Sequence, residues 1–276
     1  MALPLEREAY TEPRCPLSPP ARAGSQGHSI PRNRVLEKLD QYLARRDYPG
    51  AERHLVYWLE EARQNGDEEG AFLVLNELMG LYRKLNREEE AIACAQEALA
   101  LSHSLDLDEG PSGATCLVNA ATVLEAFGRY DAALSHFEAA QELYEALLPA
   151  NDPRLGGLYN NMGLCLSALG RYEEALCLYR RAMAIMETAP YGPWEQAVTC
   201  LNMANTLEKQ KGLEAGAEEI EALMEEAWAR LDLPSPVRDG YYAFVCEKCA
   251  PTFSYYGYFA YARELKKRSE ELYAGA

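Results

Sequence analysis

Five asparagines form the most regular polar pattern of the chain. Asn119, Asn161 and Asn202 each stand two residues before an alanine or a glycine, in segments that recur about every 42 residues. Asn76 and Asn160 lie one residue earlier in the same pattern. An amide side chain donates to a carbonyl and accepts from an N–H, so a row of amides can hold the main chain of an extended peptide. These five residues are therefore the candidate contacts of a peptide-binding groove.

The same amides have a second interpretation. Buried polar groups must be satisfied, and an asparagine can meet that need by hydrogen bonding to a neighbouring helix. In that case the amides fix the stacking of helices and touch no partner. The sequence leaves peptide contact and helix stacking both open, and one asparagine can serve both.

A tyrosine-rich segment, residues 238–262, is the second candidate. Tyrosine has a broad apolar face with a polar tip and is enriched at interfaces. A terminal helix pair could bury part of these rings as a cap, but neighbouring tyrosines cannot all face one helical stripe. The candidate interaction surface therefore consists of Tyr241, Tyr242, Tyr255 and Tyr256. A second copy of the chain could bind there, which would give a homo-oligomer.

The pair Cys246 and Cys249 has the spacing of a redox motif or of half a zinc site. No second pair with ligand spacing exists to complete a zinc site. In the repeat frame the two cysteines fall where Tyr159 and Met162 face the core of an earlier repeat, so we expect inert, buried thiols and no metal. A thiol- or metal-responsive regulator is the corresponding alternative function.

No catalytic constellation accompanies these candidates. The four histidines have no ligand or triad spacing, and no phosphate-binding or nucleophile motif occurs. A net charge of −16 disfavours nucleic acid and anionic membranes as targets. No apolar run is long enough to span a membrane, and the start lacks the layout of a secretory signal. We therefore expect a cytoplasmic protein that is not an enzyme and needs no cofactor.

An internal repeat must position the candidate residues. The segment LGRYEEALCLYRRA at 169–182 repeats FGRYDAALSHFEAA at 127–140. A period of this length is typical of stacked helix pairs. Aligning the short turn between the two helices of each repeat gives one column of turn residues. They are Arg46, Asn86, Gly128, Gly170, Lys211 or Gly212, and Gly257.

Helical spacing defines the two helices of each repeat. Tyr159, Met162, Gly163 and Leu166 fall at i, i+3, i+4 and i+7, which is one face of a helix. Gly170 follows where that helix must end and the chain must turn. Applied along the chain, this pattern predicts helix pairs at about 32–64, 69–105, 112–148, 154–188, 194–231 and 237–274.

The residues that carry the repeat best are Met162, Gly163, Gly170, Tyr172, Ala175 and Ala182. This pattern resembles the tetratricopeptide repeat, and the period near 42 is similar to that of the kinesin light chain variety. The resemblance implies an all-α, right-handed superhelix of about six antiparallel helix pairs, an α-solenoid whose first helices line a concave groove. It also implies groove asparagines, by position Asn119, Asn161 and Asn202.

Three regions are expected. Residues 1–31 form a proline-rich N-terminal arm, residues 32–236 an array of five helix pairs, and residues 237–276 an atypical tyrosine-rich pair that caps the array. The expected function is that of a scaffold or adaptor that binds an extended segment of another protein in its groove.

Overall fold

The computed structural model describes residues 29–234 and 238–274. These residues form twelve α-helices and no strand, so the all-α fold of about six helix pairs is confirmed. Residues 1–28 of the expected N-terminal arm lie outside the described residues. The helices are α1 Arg32–Ala44, α2 Tyr48–Asn65, α3 Glu68–Lys84, α4 Glu88–Ser104, α5 Pro111–Ala126, α6 Tyr130–Leu147, α7 Pro153–Ala168, α8 Tyr172–Met186, α9 Gly192–Lys211, α10 Ala217–Leu231, α11 Gly240–Tyr255 and α12 Phe259–Ala274.

The chain divides into two compact units, Met1–Phe127 and Gly128–Ala276, here called unit 1 and unit 2. Unit 1 contains α1 to α5, and its core is built from aliphatic side chains such as Leu55, Leu75 and Met79. Unit 2 contains α6 to α12, and its largest fully buried side chains are aromatic, among them Tyr159, Tyr179, Tyr242, Phe137 and Phe253. None of the helices in the described ranges is both long and apolar enough to cross a membrane.

The turn inside each helix pair contains one residue with positive φ. These residues are Arg46, Asn86, Gly128, Gly170, Gly212 and Gly257, which is the column expected from the sequence. In the fifth pair the turn residue is Gly212 and not Lys211, because α9 continues to Lys211. Gly212 adopts φ 81 and ψ 162, a conformation that only glycine takes without strain.

The small residues of the repeat mark the close crossing of the two helices in a pair. A Cβ atom on Gly163 of α7 would lie 2.4 Å from Cε1 of Tyr179 on α8. Tyr179 and Ala175 are both fully buried, so the ring has no open space beside it. Position 163 therefore requires glycine, because a larger residue would leave no room for the Tyr179 ring of the second helix.

A carboxylate fixes the segment that leads into α1. The N–H of Ile30 donates to Oδ2 of Asp67 at 2.8 Å, and the Ile30 side chain is buried. Asp67 also caps α3, because its Oδ1 accepts from the N–H of Gly70 at 3.0 Å. One carboxylate thus joins the entry of α1 to the beginning of α3.

The crossing at Gly163 gives a stability prediction. We expect Gly163→Ala to lower the free energy of unfolding by about 1–3 kcal/mol, because the added methyl group collides with the buried Tyr179 ring. The control is Gly157→Ala on the same helix, where an added Cβ meets no atom within 4 Å. That variant should gain up to about 1 kcal/mol from helix propensity. Urea unfolding followed by circular dichroism measures both, and an equal gain in the two variants would contradict the packing argument.

Candidate functional site

Each first helix of a pair leaves one stripe of residues open to solvent. On α7 the stripe lies at i, i+3, i+7, i+10 and i+14, and its members are at least partly exposed. They are Arg154, Gly157, Asn161, Leu164 and Ala168. We call such stripes the first-helix faces, and they lie where the sequence predicts peptide contacts.

Two of the five asparagines join helices in unit 1. Nδ2 of Asn119 on α5 donates to Oδ1 of Asn76 on α3 at 3.1 Å. Nδ2 of Asn76 in turn donates to the carbonyl of Phe72 at 2.9 Å. Asn76 is therefore used within the fold, whereas the Oδ1 of Asn119 accepts no hydrogen bond from the described residues and stays on the partly exposed side of α5.

Two more asparagines join helices in unit 2. Nδ2 of Asn202 on α9 donates to Oδ1 of Asn160 on α7 at 3.0 Å, and the hydroxyl of Thr199 donates to the same oxygen at 3.1 Å. Asn160 and Asn202 are both buried. Their amides fix α7 against α9, as in the stacking interpretation, and they present no surface to a peptide.

Asn161 is the exception. It lies in the middle of the first-helix face of α7, is half-buried, and makes no hydrogen bond with any described residue. Its amide therefore has a donor and an acceptor available. Of the five asparagines, Asn161 is the one whose whole amide is open to a partner.

Asn202 and Asn119 make the same interhelical hydrogen bond. Nδ2 of each donates to Oδ1 of an asparagine on another first helix, Asn160 for Asn202 and Asn76 for Asn119. Their surroundings differ, because Asn202 is buried, whereas Asn119 and Asn161 are partly exposed. Asn202 therefore presents less surface to a peptide than Asn119 or Asn161.

The position nine residues before the turn also carries charged residues. It is occupied by Glu77 on α3 and by Lys248 on α11. Burial, and then the nearby Asp40 carboxylate, raise the pKa of Glu77. A search for repeated asparagines does not find Glu77 and Lys248. Counting nine residues back from each turn residue finds both.

The four candidate tyrosines separate into different environments. Tyr242 is fully buried, and its hydroxyl donates to the carbonyl of Leu231 at 2.8 Å, so it belongs to the core and not to a surface. The hydroxyl of Tyr256 donates to Glu208 at 2.8 Å and joins α11 to α9. Tyr241 is half-buried against Tyr191, with ring centroids 5.2 Å apart.

Only Tyr255 is largely open, with 64% of its surface exposed. On the same face of α11, Phe244 is 38% exposed, although the sequence pattern of paired tyrosines does not include it. The exposed aromatic surface of α11 is therefore smaller than the sequence suggests. Its most exposed members are Phe244 and Tyr255.

The Cys246 and Cys249 thiols lie in the core of unit 2. Burial raises the pKa of Cys246 to about 11 and that of Cys249 to about 12. No group of histidine, cysteine or acidic residues in the described part of the chain could hold a metal ion. These thiols remain protonated at neutral pH, which does not favour a thiol- or metal-responsive regulator.

Comparison with known proteins gives a family and several similar structures. A family model of the tetratricopeptide repeat matches residues 70–146 and 121–188. The fold is similar to a crystal structure of BtubC (BKLC) from P. vanneervenii, with 20% identity over 75% of this chain and 84% of that chain and a TM-score of 0.61. None of the curated protein sequences matches this chain.

Two further structures have the same fold. One is a Rap protein complexed with Competence and Sporulation Factor, with 16% identity over 90% of this chain and 76% of that chain and a TM-score of 0.54. The other is a putative kinesin light chain with nearly identical TPR-like repeats from Podosopora anserina. It has 17% identity over 73% of this chain and 94% of that chain, and a TM-score of 0.50.

The two neighbouring asparagines of α7 give a matched pair of variants. We expect Asn160→Ala to lower the free energy of unfolding by about 1–3 kcal/mol, because it leaves the buried amide of Asn202 unpaired. Asn161→Ala should change it by no more than about 0.5 kcal/mol, since no internal hydrogen bond is lost. Urea unfolding of both variants measures the difference. Equal losses in the two would show that Asn161 also serves stacking.

The cysteines give a labelling prediction. In a Cys15→Ser background, the native protein should react with a thiol reagent such as DTNB at Cys177, the exposed cysteine of the described residues. The buried cysteines should react only after denaturation, because burial disfavours their thiolates. Mass spectrometry of the labelled peptides identifies the sites. Rapid native labelling of Cys246 or Cys249 would contradict their placement in the core.

Proposed function

We propose that this chain, whose residues 70–146 and 121–188 match the tetratricopeptide repeat, is a non-enzymatic scaffold that binds an extended segment of another protein on its first-helix faces. The tetratricopeptide fold serves protein interaction in general, which supports the binding of another protein. The placement of the partner on the first-helix faces is the specific part of the proposal.

The observation that carries this proposal is the available amide of Asn161. It lies on the first-helix face of α7 with no hydrogen bond to any described residue. An available amide can accept from a peptide N–H and donate to a peptide carbonyl, which suits main-chain recognition. Gly157, one turn before it, has open space where a Cβ would be, so a peptide backbone can come close to the helix.

In unit 1 the first-helix face of α5 has similar chemistry. Asn119 uses its Nδ2 to bond Asn76, and its Oδ1 remains able to accept from a peptide N–H. The hydroxyl of Thr122, one turn after Asn119, donates to the Asn119 carbonyl at 2.7 Å. A hydroxyl oxygen that donates in this way can still accept, so this face offers acceptors to a peptide main chain.

The similar structures agree with this function. The Rap protein of the same fold was crystallised in a complex with Competence and Sporulation Factor. That complex supports the proposal that the fold can hold a separate molecule, and we extend it to this chain only as part of the proposal. Self-association through the tyrosine-rich end is less favoured, because Tyr242 and Tyr256 are used within unit 2.

Selection of random linear peptides on the intact protein tests the proposal. We expect phage display to enrich peptides whose affinity, measured by fluorescence anisotropy, falls about tenfold in Asn161→Ala, the loss expected for one or two hydrogen bonds. The matched control is Asn65→Ala, an exposed asparagine at the end of α2. An unchanged dissociation constant in Asn161→Ala would remove this residue from the site, and a selection that enriches no peptide would reject peptide binding itself.

A further inference from the structure

We propose that the first-helix face of unit 1 selects an extended segment that carries a lysine or an arginine, and that Glu77 pairs with this cation. The inference rests on the proposed function, because the same face holds the segment. It adds the chemical class of the partner. An extended, positively charged segment of another protein is the occupant to which we commit.

The position of Glu77 in the repeat places it among the candidate peptide contacts. Glu77 stands nine residues before the turn residue Asn86, as Asn119 stands nine residues before Gly128. Glu77 is on α3, which packs on α5. A peptide main chain held by Asn119 on α5 would therefore have a carboxylate beside it on the next first helix.

Glu77 has no compensating partner among residues 29–234 and 238–274. Its side chain is half-buried, and no described residue forms an ion pair or a hydrogen bond with it. Burial raises the pKa of Glu77, and the Asp40 carboxylate on α1 raises it further. A partly desolvated carboxylate next to a second carboxylate is unfavourable until a cation approaches. A lysine or arginine of a partner would supply that cation.

The lysines of α1 and α3 are engaged elsewhere. Nζ of Lys38 donates to Oε1 of Gln41 at 3.1 Å and lies 5.3 Å from the ring centre of Tyr42. Nζ of Lys84 lies 4.9 Å from the ring centre of Tyr48. Neither lysine forms an ion pair with Glu77. Within the described residues, neither of these two lysines therefore neutralises the Glu77 carboxylate.

The other charged residues of the face are two carboxylates and one ammonium group. On α1 the face carries Glu37 and Asp40, both exposed, and on α3 it carries Lys84, seven residues after Glu77. The whole chain has a net charge of −16, so its field attracts a cationic segment and repels an anionic one. Charge complementarity thus favours a basic partner, whereas the neutral amide of Asn119 is suited to any main chain.

The experiment compares the composition of the peptides selected by three proteins. A random linear peptide library is displayed on phage and selected on the intact wild-type chain, on Glu77→Gln and on Glu89→Gln. Glu89 is an exposed glutamate on α4, a second helix, so its replacement removes the same charge away from the face. Circular dichroism should show the same helical content in all three, because glutamine has the shape of glutamate.

We expect wild type and Glu89→Gln to enrich peptides that contain lysine or arginine. Those peptides should bind Glu77→Gln about tenfold more weakly, as for loss of a close charge pair. Replacement by the opposite charge, Glu77→Lys, should shift the selection toward aspartate and glutamate. Equal enrichment of lysine and arginine by wild type and Glu77→Gln would overturn the role of Glu77.

The possible failures can be told apart. If wild type enriches peptides that lose affinity in Asn161→Ala but contain no excess of lysine or arginine, peptide binding stands and the cationic partner is rejected. If no peptide is enriched by any variant, the proposed function fails, and the inference fails with it.

Discussion

The close crossing of the two helices in each pair is the constraint on which the rest of the structure depends. At Gly163 an added methyl group would meet the ring of the fully buried Tyr179, so the two helix backbones lie as near as their side chains allow. Because one side of each first helix packs on its second helix and other sides pack on neighbouring pairs, only a narrow stripe remains open. The candidate site is what this packing leaves uncovered.

On α7, two adjacent asparagines have different surroundings, one packed against another helix and one on the open stripe. Asn160 and Asn161 are adjacent, but consecutive helical residues point about 100° apart, so one amide faces the next helix and the other faces solvent. Burying Asn160 and Asn202 costs little free energy, because their amides hydrogen-bond to each other. The same residue type thus meets two different needs at neighbouring positions, and its environment decides which.

The sequence predicts the fold better than it predicts the site. The period near 42 residues and the column of turn residues give all six helix pairs, because each turn between two packed helices needs one residue with positive φ. The environments of single polar residues depend instead on what packs beside them. Asn202 and Asn119 make the same interhelical hydrogen bond, but Asn202 is buried and Asn119 is partly exposed, which the repeat pattern does not show. Tyr242 is misplaced for a related reason, since composition alone does not show which of two neighbouring tyrosines faces inward.

Gly212 has a meaning for the evolution and redesign of the chain. Repeat proteins change length by duplication, deletion and exchange of whole helix pairs. Such an exchange requires that every pair has the same connections and packs on its neighbours in the same way. The pair α9 and α10 is joined by a longer connection that begins in a conformation open only to glycine. The connection between α9 and α10 spans residues 212–216, whereas the turn between α7 and α8 spans only residues 169–171. This pair is therefore not an interchangeable module, because a second helix from another pair would begin at a different distance from the end of α9.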